Sequence, residues 1–251
     1  RLNRAEFEPF LLCGPGGILD AEAGRESVPV TFVSALQRAV HPFKDPAAFF
    51  QLRRAFRSLR PDIVHTHSSK AGILGRWAAW SAGVPVVLHT FHGFGFTPGQ
   101  SAPVRAAYVA AERWTARIST ALVAVSRANR DEALARGIGR PDQFHLIRSG
   151  VPLGPYRSLA PRRDAPAGIA LRPEEKLVLT IGPFKPQKNL KDFVRAAAAV
   201  LQRRSDVKFL VVGDGEGRLR LEEDLRRRGV ADRVILAGWR RDVPALLART
   251  D

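Results

Sequence analysis

The sequence predicts an α/β protein built from parallel βαβ units in two successive domains. Short apolar runs of strand length alternate with helical stretches of about 10 to 18 residues almost throughout. Glycines stand where the helical patterns stop. One Pro-rich stretch, residues 150–173, interrupts both periods.

In chain order the apolar runs predict strands at 7–13, 28–33, 62–67, 85–89, 121–125 and 143–149, and a second series at 176–181, 208–213 and 233–237. Between them the helical period predicts helices over 46–60, 70–83, 103–119, 127–136, 190–204, 216–229 and 243–249. Ser126 suits an N-cap, and Gly83, Gly137 and Gly229 suit helix ends. The domains are expected at 1–153 and 174–251, with 154–173 as a linker in which no apolar face can be drawn. The second domain offers three strands where about five or six are usual, so it is expected to continue past Asp251. The chain begins at Arg1 and contains no Met, which predicts a piece of something longer.

Of 251 residues, 45% are hydrophobic and 25% charged, an ordinary globular balance that excludes disorder and low complexity. A lone Cys excludes a disulfide framework and fits a cytoplasmic, reducing setting. No run of about 18 apolar residues predicts a transmembrane span. The net charge of +16 is evenly spread: 19 basic against 11 acidic residues over 1–150, and 21 against 13 over 151–251. Such a spread argues for attraction to anions, including nucleotides and acidic lipid, and not for a nucleic-acid stripe.

Five segments carry chemistry. In residues 62–76, DIVHTHSSKAGILGR, a strand ends at His65, Thr66 and His67, and Ser68, Ser69 and Lys70 open a helix. Free amides and the helix dipole at such a start attract anions. The plainer alternative is that His65 packs in the sheet and the serines cap. A zinc site is disfavoured, because no third ligand has suitable spacing. In residues 86–96, VVLHTFHGFGF, His89, Thr90 and His92 follow a strand. Gly93 and Gly95 permit close backbone approach, and Phe91, Phe94 and Phe96 offer an apolar platform, or simply a buried aromatic loop. Residues 180–190, TIGPFKPQKNL, place Gly182, Lys185 and Lys188 at a strand-to-helix transition where a diphosphate would sit, although the GxxxxGK signature of a Walker loop is absent. Residues 209–217, FLVVGDGEG, put Gly213 and Asp214 in a Gly-rich turn, Asp214 being an alternative N-cap. Residues 235–243, ILAGWRRDV, set Gly238 and Trp239 at a strand end, beside a nucleobase or at the domain's edge.

Taken in order, PDIVHTHSSKAGILGR, HTFHGFGF, GPFKPQKN, VVGDGEGRLR and GWRRDVP resemble the runs of retaining glycosyltransferases of family four, in particular bacterial surface-polysaccharide and lipid-linked-sugar transferases. The resemblance spans nearly the whole chain. It implies the GT-B fold: two Rossmann-like domains facing across a cleft, a nucleotide-diphosphate sugar held by the second domain and a polysaccharide or lipid-linked acceptor by the first. His92 matches the histidine that contacts the donor sugar near its anomeric centre. Lys188 matches the lysine that grips the diphosphate, with Lys185 beside it, and Gly238 and Trp239 match the loop near the base. Gly182, Gly213 and Asp214 complete the expected donor set. His67, Ser68, Ser69, Lys70, Phe94 and Phe96 form the expected acceptor side. No metal and no cofactor beyond the nucleotide sugar are expected, because fixed cations can take up the charge that builds on the leaving diphosphate.

Three departures from the family pattern bear on activity. Pro183 occupies the position where the family commonly has Arg, and Lys185 is expected to supply that charge. The first βα unit with its Gly-rich loop is expected to precede residue 1, and the family's E-x7-E carboxylates to follow residue 251. The chain alone is therefore expected to be inactive and poorly stable. The basic amphipathic stretch 49–60, FFQLRRAFRSLR, suits either a helix resting on anionic membrane or one simply covering a sheet. The alternatives are a sugar-nucleotide epimerase of the same fold and a non-catalytic relative with residual nucleotide binding.

Overall fold

The computed structural model describes residues 2–17, 20–23, 28–97, 99–157, 159, 164, 166 and 168–251, which divide into two compact units, 1–150 and 151–251. The first unit runs β1 (Leu11–Cys13), α1 (Asp20–Ala23), β2 (Val30–Phe32), α2 (Lys44–Leu59), β3 (Ile63–His67), α3 (Ser69–Ala82), β4 (Val86–Phe91), α4 (Ala102–Ala116), β5 (Ala121–Ala124), α5 (Arg127–Ala135) and β6 (Phe144–Leu146). The second runs α6 (Gly154–Arg157), β7 (Lys176–Ile181), α7 (Leu190–Leu201), β8 (Val207–Val212), α8 (Arg218–Arg227), β9 (Val234–Gly238) and α9 (Val243–Arg249).

All ladders between these strands are parallel, in orders β1-β2, β3-β4-β5-β6 and β7-β8-β9. Each expected strand is present, though the outermost are shorter. The run 7–13 is a strand only over Leu11–Cys13, and 143–149 only over Phe144–Leu146, its first residue, Gln143, belonging to a 3-10 turn at Pro141–Gln143. The helices α1 and α6, four residues each, were not expected; a single turn carries no readable period. Ser126 caps α5 by accepting the Asn129 amide at 3.1 Å, and Gly83, Gly137 and Gly229 follow helices with positive φ.

In the first unit α2 lays Ala48, Leu52 and Phe56 against Ala78 and Ala79 of α3 and against Val64 and Val87 of the sheet. A second cluster gathers Phe91, Phe96, Val109, Ala116, Leu122, Ala133 and Ile138. Helix α3 comes close to the sheet because two of its inward positions are glycine. A β-carbon at Gly75 would lie 2.9 Å from Thr66 Cγ2, and one at Gly72 closer still to His89. One turn further on, the fully buried Arg76 donates to Glu112 Oε2 of α4 at 2.6 Å and to the Gly72 carbonyl at 3.0 Å. Burial pushes the Glu112 carboxyl up against the opposing pull of the guanidinium.

In the second unit one face of the sheet packs under Val194, Ala197 and Ala198 of α7 and Leu221 and Leu225 of α8. The other face holds Leu177, Leu210, Val212 and Leu246 together with Ile169, which is buried, and Leu171 packed against them. The Pro-rich stretch is thus not without apolar contacts. Its last residues close this core, with single apolar side chains that a periodic reading cannot register.

Candidate functional site

In the first unit the candidate residues lie at the carboxyl ends of β3 and β4. Parallel register sets His65, Thr66 and His67 beside Leu88, His89 and Thr90. Alternation along β3 sends His65 and His67 to one face, where their rings lie 4.5 Å apart, and Thr66 to the other. His65 Nε2 bonds Thr90 Oγ1 at 2.7 Å. His67 Nδ1 bonds His92 Nε2 at 3.0 Å, with ring centroids 5.3 Å apart. All three rings keep solvent-exposed surface. Partial loss of water contact, and then the neighbouring imidazoles, hold His65 and His67 below the usual histidine range.

On the opposite face His89 is buried and bonded to Thr66 Oγ1 at 2.9 Å. Burial, seconded by the Arg76 charge, pushes its pKa down to about 2, so it is a neutral core residue. Among the described residues no group of three or more His, Cys, Asp or Glu is placed to hold a metal ion.

Ser68 joins β3 to α3 with φ 62°, a left-handed conformation uncommon for a residue with a β-carbon. It makes no side-chain cap, so the capping alternative fails there. Ser69 begins the helix, whose first-turn amides have no intrahelical partners. The His92–Phe96 loop lies against this helix start: a β-carbon at Gly95 would be 2.9 Å from Ser69 Cβ.

Two expected acceptor-side residues are otherwise occupied. Lys70 is paired with Asp45 and donates to the Ala39 carbonyl, tying the start of α2 to α3, so it is not a free cation for a ligand. Phe96 is buried in the core under the Arg136 guanidinium, which lies 4.8 Å from its ring centroid. Phe94 stacks on it at 4.6 Å and remains partly exposed. Of the proposed aromatic platform, only Phe94 stays accessible.

In the second unit the candidates meet at the ends of β7, β8 and β9. After Ile181 the chain crosses Gly182, Pro183 and the buried Phe184, then makes a 3-10 turn over Pro186–Lys188 before α7. Asn189 takes up the reversal with φ 47° and bonds Asp192 Oδ2 at 2.6 Å. The Lys188 stem lies along Gly182, 3.6 Å from where a β-carbon would be. Lys185 and Lys188 are exposed and have no carboxylate partner among the described residues.

Gly213 has φ 132°, donates to the Gly238 carbonyl at 2.8 Å and passes the Gly182 carbonyl so closely that a β-carbon would lie 2.0 Å from its oxygen. Its glycine is demanded by this crossing of two backbones. Asp214 does not cap the helix, which starts four residues later; it accepts from the Gly215 amide and pairs with Arg218 at 3.2 Å. Gly238 turns with φ 67° and leaves Trp239 exposed, and Arg240 locks onto Asp242 through two bonds of 2.8 and 2.6 Å. Sequence reasoning missed the His67–His92 bond and the Gly72–His89 contact. Both require knowing that β3 and β4 are neighbours in register and that α3 returns over them.

Residues 1–150 match the model described as glycosyl transferase 4-like domain, and residues 175–251 that of glycosyl transferases group 1. Over its full length the chain is 33% identical to the UDP-Gal:alpha-D-GlcNAc-diphosphoundecaprenol alpha-1,3-galactosyltransferase of Escherichia coli, of which it spans 65%. It is 24% identical, over 88% of its length and 59% of the relative, to the putative glycosyltransferase EpsD of Bacillus subtilis. Among solved structures, Anabaena Alr3699/HepE in complex with UDP-glucose superposes with a TM-score of 0.74 at 20% identity, over 96% of this chain and 64% of that one. The fold is accordingly of the GT-B class, and with family models covering both units the chain belongs to the glycosyl transferase 4-like family.

Proposed function

We propose that the chain serves in moving a sugar from a uridine-diphosphate donor to a lipid-linked or glycan acceptor, with retention at the anomeric carbon and without a metal ion. The observation that carries this reading is the Lys185–Lys188 pair, two exposed ammonium groups held at the end of β7 with no carboxylate partner among the described residues. Parallel α/β sheets bind ligands at the carboxyl ends of their strands, and fixed cations there suit a diphosphate whose charge grows as the glycosidic bond breaks. The likeness to a UDP-Gal transferase and to a UDP-glucose complex supports uridine as the base and a hexose as the sugar.

In this reading the bond between the anomeric carbon and the diphosphate oxygen breaks, and the acceptor oxygen bonds the same face of that carbon. The acceptor proton passes to the departing diphosphate. Lys185 and Lys188 hold the diphosphate, Gly238 and Trp239 lie by the base, and His92 lies by the donor sugar. His67 and the helix start at Ser68 and Ser69 serve the acceptor.

A membrane contact belongs to the same reading. While α2 buries Ala48, Leu52 and Phe56, its opposite face presents Phe43, 81% exposed, and Phe50, 61% exposed, in line with Arg54 and Arg57. No described helix is long and apolar enough to cross a membrane.

Titrating UDP-galactose and UDP-glucose into the protein, with magnesium and again with EDTA, tests the donor. Binding of either that EDTA leaves unchanged is expected; absence of any heat with both overturns the reading. The anomeric coupling of the product formed on a diphosphoundecaprenol-linked sugar tests retention.

A further inference from the structure

We infer that His67 is a positioning residue that fixes the orientation and tautomer of His92, leaving His92 Nδ1 as a hydrogen-bond acceptor for a substrate hydroxyl. The inference deepens the proposed function and rests on it for the identity of that hydroxyl, but the geometry stands by itself.

His67 Nδ1 faces His92 Nε2 at 3.0 Å, so one proton lies between them. If His67 carries it, His92 Nε2 is bare and His92 is protonated at Nδ1. If His92 carries it, His67 is bare at Nδ1 and protonated at Nε2. Either way the two neutral rings share one tautomer, because the bond made at one nitrogen dictates the other. The second arrangement gives both rings the Nε2–H form, which free histidine side chains prefer, and it is the one assigned here. His92 Nδ1 then offers a lone pair, with no partner among the described residues.

The packing favours a neutral pair. His65, bonded to Thr90, lies against the other side of His67, and no carboxylate bonds any of the three rings among the described residues. A proton added to His67 would set a charge among three close-packed rings, with no carboxylate bonded to any of them among the described residues to offset it. Ser68 follows His67 directly, with φ 62°, at the end of β3.

Long-range nitrogen–proton NMR of the imidazoles, recorded above the usual histidine range, reads each tautomer directly. The expected result is Nε2–H for both His67 and His92. One ring in each form, or both rings as Nδ1–H, overturns the inference without any variant. In His67→Ala the His92 tautomer ratio is expected to relax about tenfold, one hydrogen bond's net worth. His67→Asn, whose amide reaches the place of Nδ1, is expected to restore it, and His67→Gln is not. A His92 spectrum that does not change in His67→Ala overturns the positioning role. Adding UDP-glucose separates this from the proposed function. Correct tautomers in a protein that binds no UDP-sugar leave the pair standing and defeat the donor reading.

Discussion

Gly72 of α3 rests directly on the imidazole of His89: a β-carbon at that position would lie 2.4 Å from His89 Cε1 and 2.8 Å from Nδ1. The ring cannot yield, since it is bonded to Thr66 on one side and set edge-to-face against Phe91, 4.5 Å away, on the other. Gly72→Ala gains about 1 kcal/mol of helix propensity. It loses more to overpacking, so the net effect expected is destabilisation by about 1–2 kcal/mol. Urea denaturation of the variant checks it; a stabilised variant would show that α3 stands further from the sheet.

Acid should weaken the first unit through His89. Its pKa is about 2 when folded and near the ordinary 6.5 when unfolded. Between those values the unfolded chain binds the proton that the folded chain refuses, so stability falls as pH drops below 6.5, by up to about 1.4 kcal/mol per pH unit. His89→Gln, which can still meet Thr66, should flatten this part of the pH profile. An unchanged slope would place the acid sensitivity elsewhere.

The glycine crossing in the second unit allows a harsher test. Gly213→Ala must place a β-carbon against the Gly182 carbonyl at a φ of 132°. Both the collision and the backbone strain act together, and a loss of about 3 kcal/mol or more is expected. Thermal unfolding followed by circular dichroism would report it, and native stability in the variant would contradict the crossing.

Lys188→Ala and Lys185→Ala are each expected to weaken UDP-sugar binding about 10- to 100-fold, the worth of one charged hydrogen bond. Calorimetry separates the two. Lys188 lies along Gly182, whereas Lys185 is proposed to substitute for the charge that Pro183 cannot supply. Unchanged affinity in Lys185→Ala would remove that compensation.

Much of this architecture can be read from sequence, and the parts that cannot share a cause. The strand runs and the caps at Ser126, Gly83, Gly137 and Gly229 are local signals, and they place the elements within a few residues. Lys70 illustrates what local signals miss. Its position at a helix start suits an anion, yet Asp45, 25 residues earlier, arrives to claim it. Phe96 likewise reads as a platform until Arg136 and the α4 residues are folded over it. Position along an element is written locally, while occupancy of a side chain is settled by partners distant in the chain.

Phe43 and Phe50 provide the test for the proposed membrane contact. The protein is expected to sediment with vesicles containing anionic phosphatidylglycerol and to be released by salt, since Arg54 and Arg57 supply a screened attraction. Phe43→Ser with Phe50→Ser should reduce partitioning about tenfold or more, each ring contributing about 1.5–3 kcal/mol if fully inserted. Equal binding by the double variant would leave α2 as a cover for the sheet alone.

The buried bond between Arg76 and Glu112 constrains how such a sequence can drift. Loss of either partner strands a charge in the core at about 3–5 kcal/mol, whereas joint replacement by apolar side chains of similar volume is close to neutral. Viable descendants on the two sides of that exchange are separated by intermediates that fold badly. Positions 76 and 112 should therefore change together across lineages, or not at all, although 36 residues separate them in the chain.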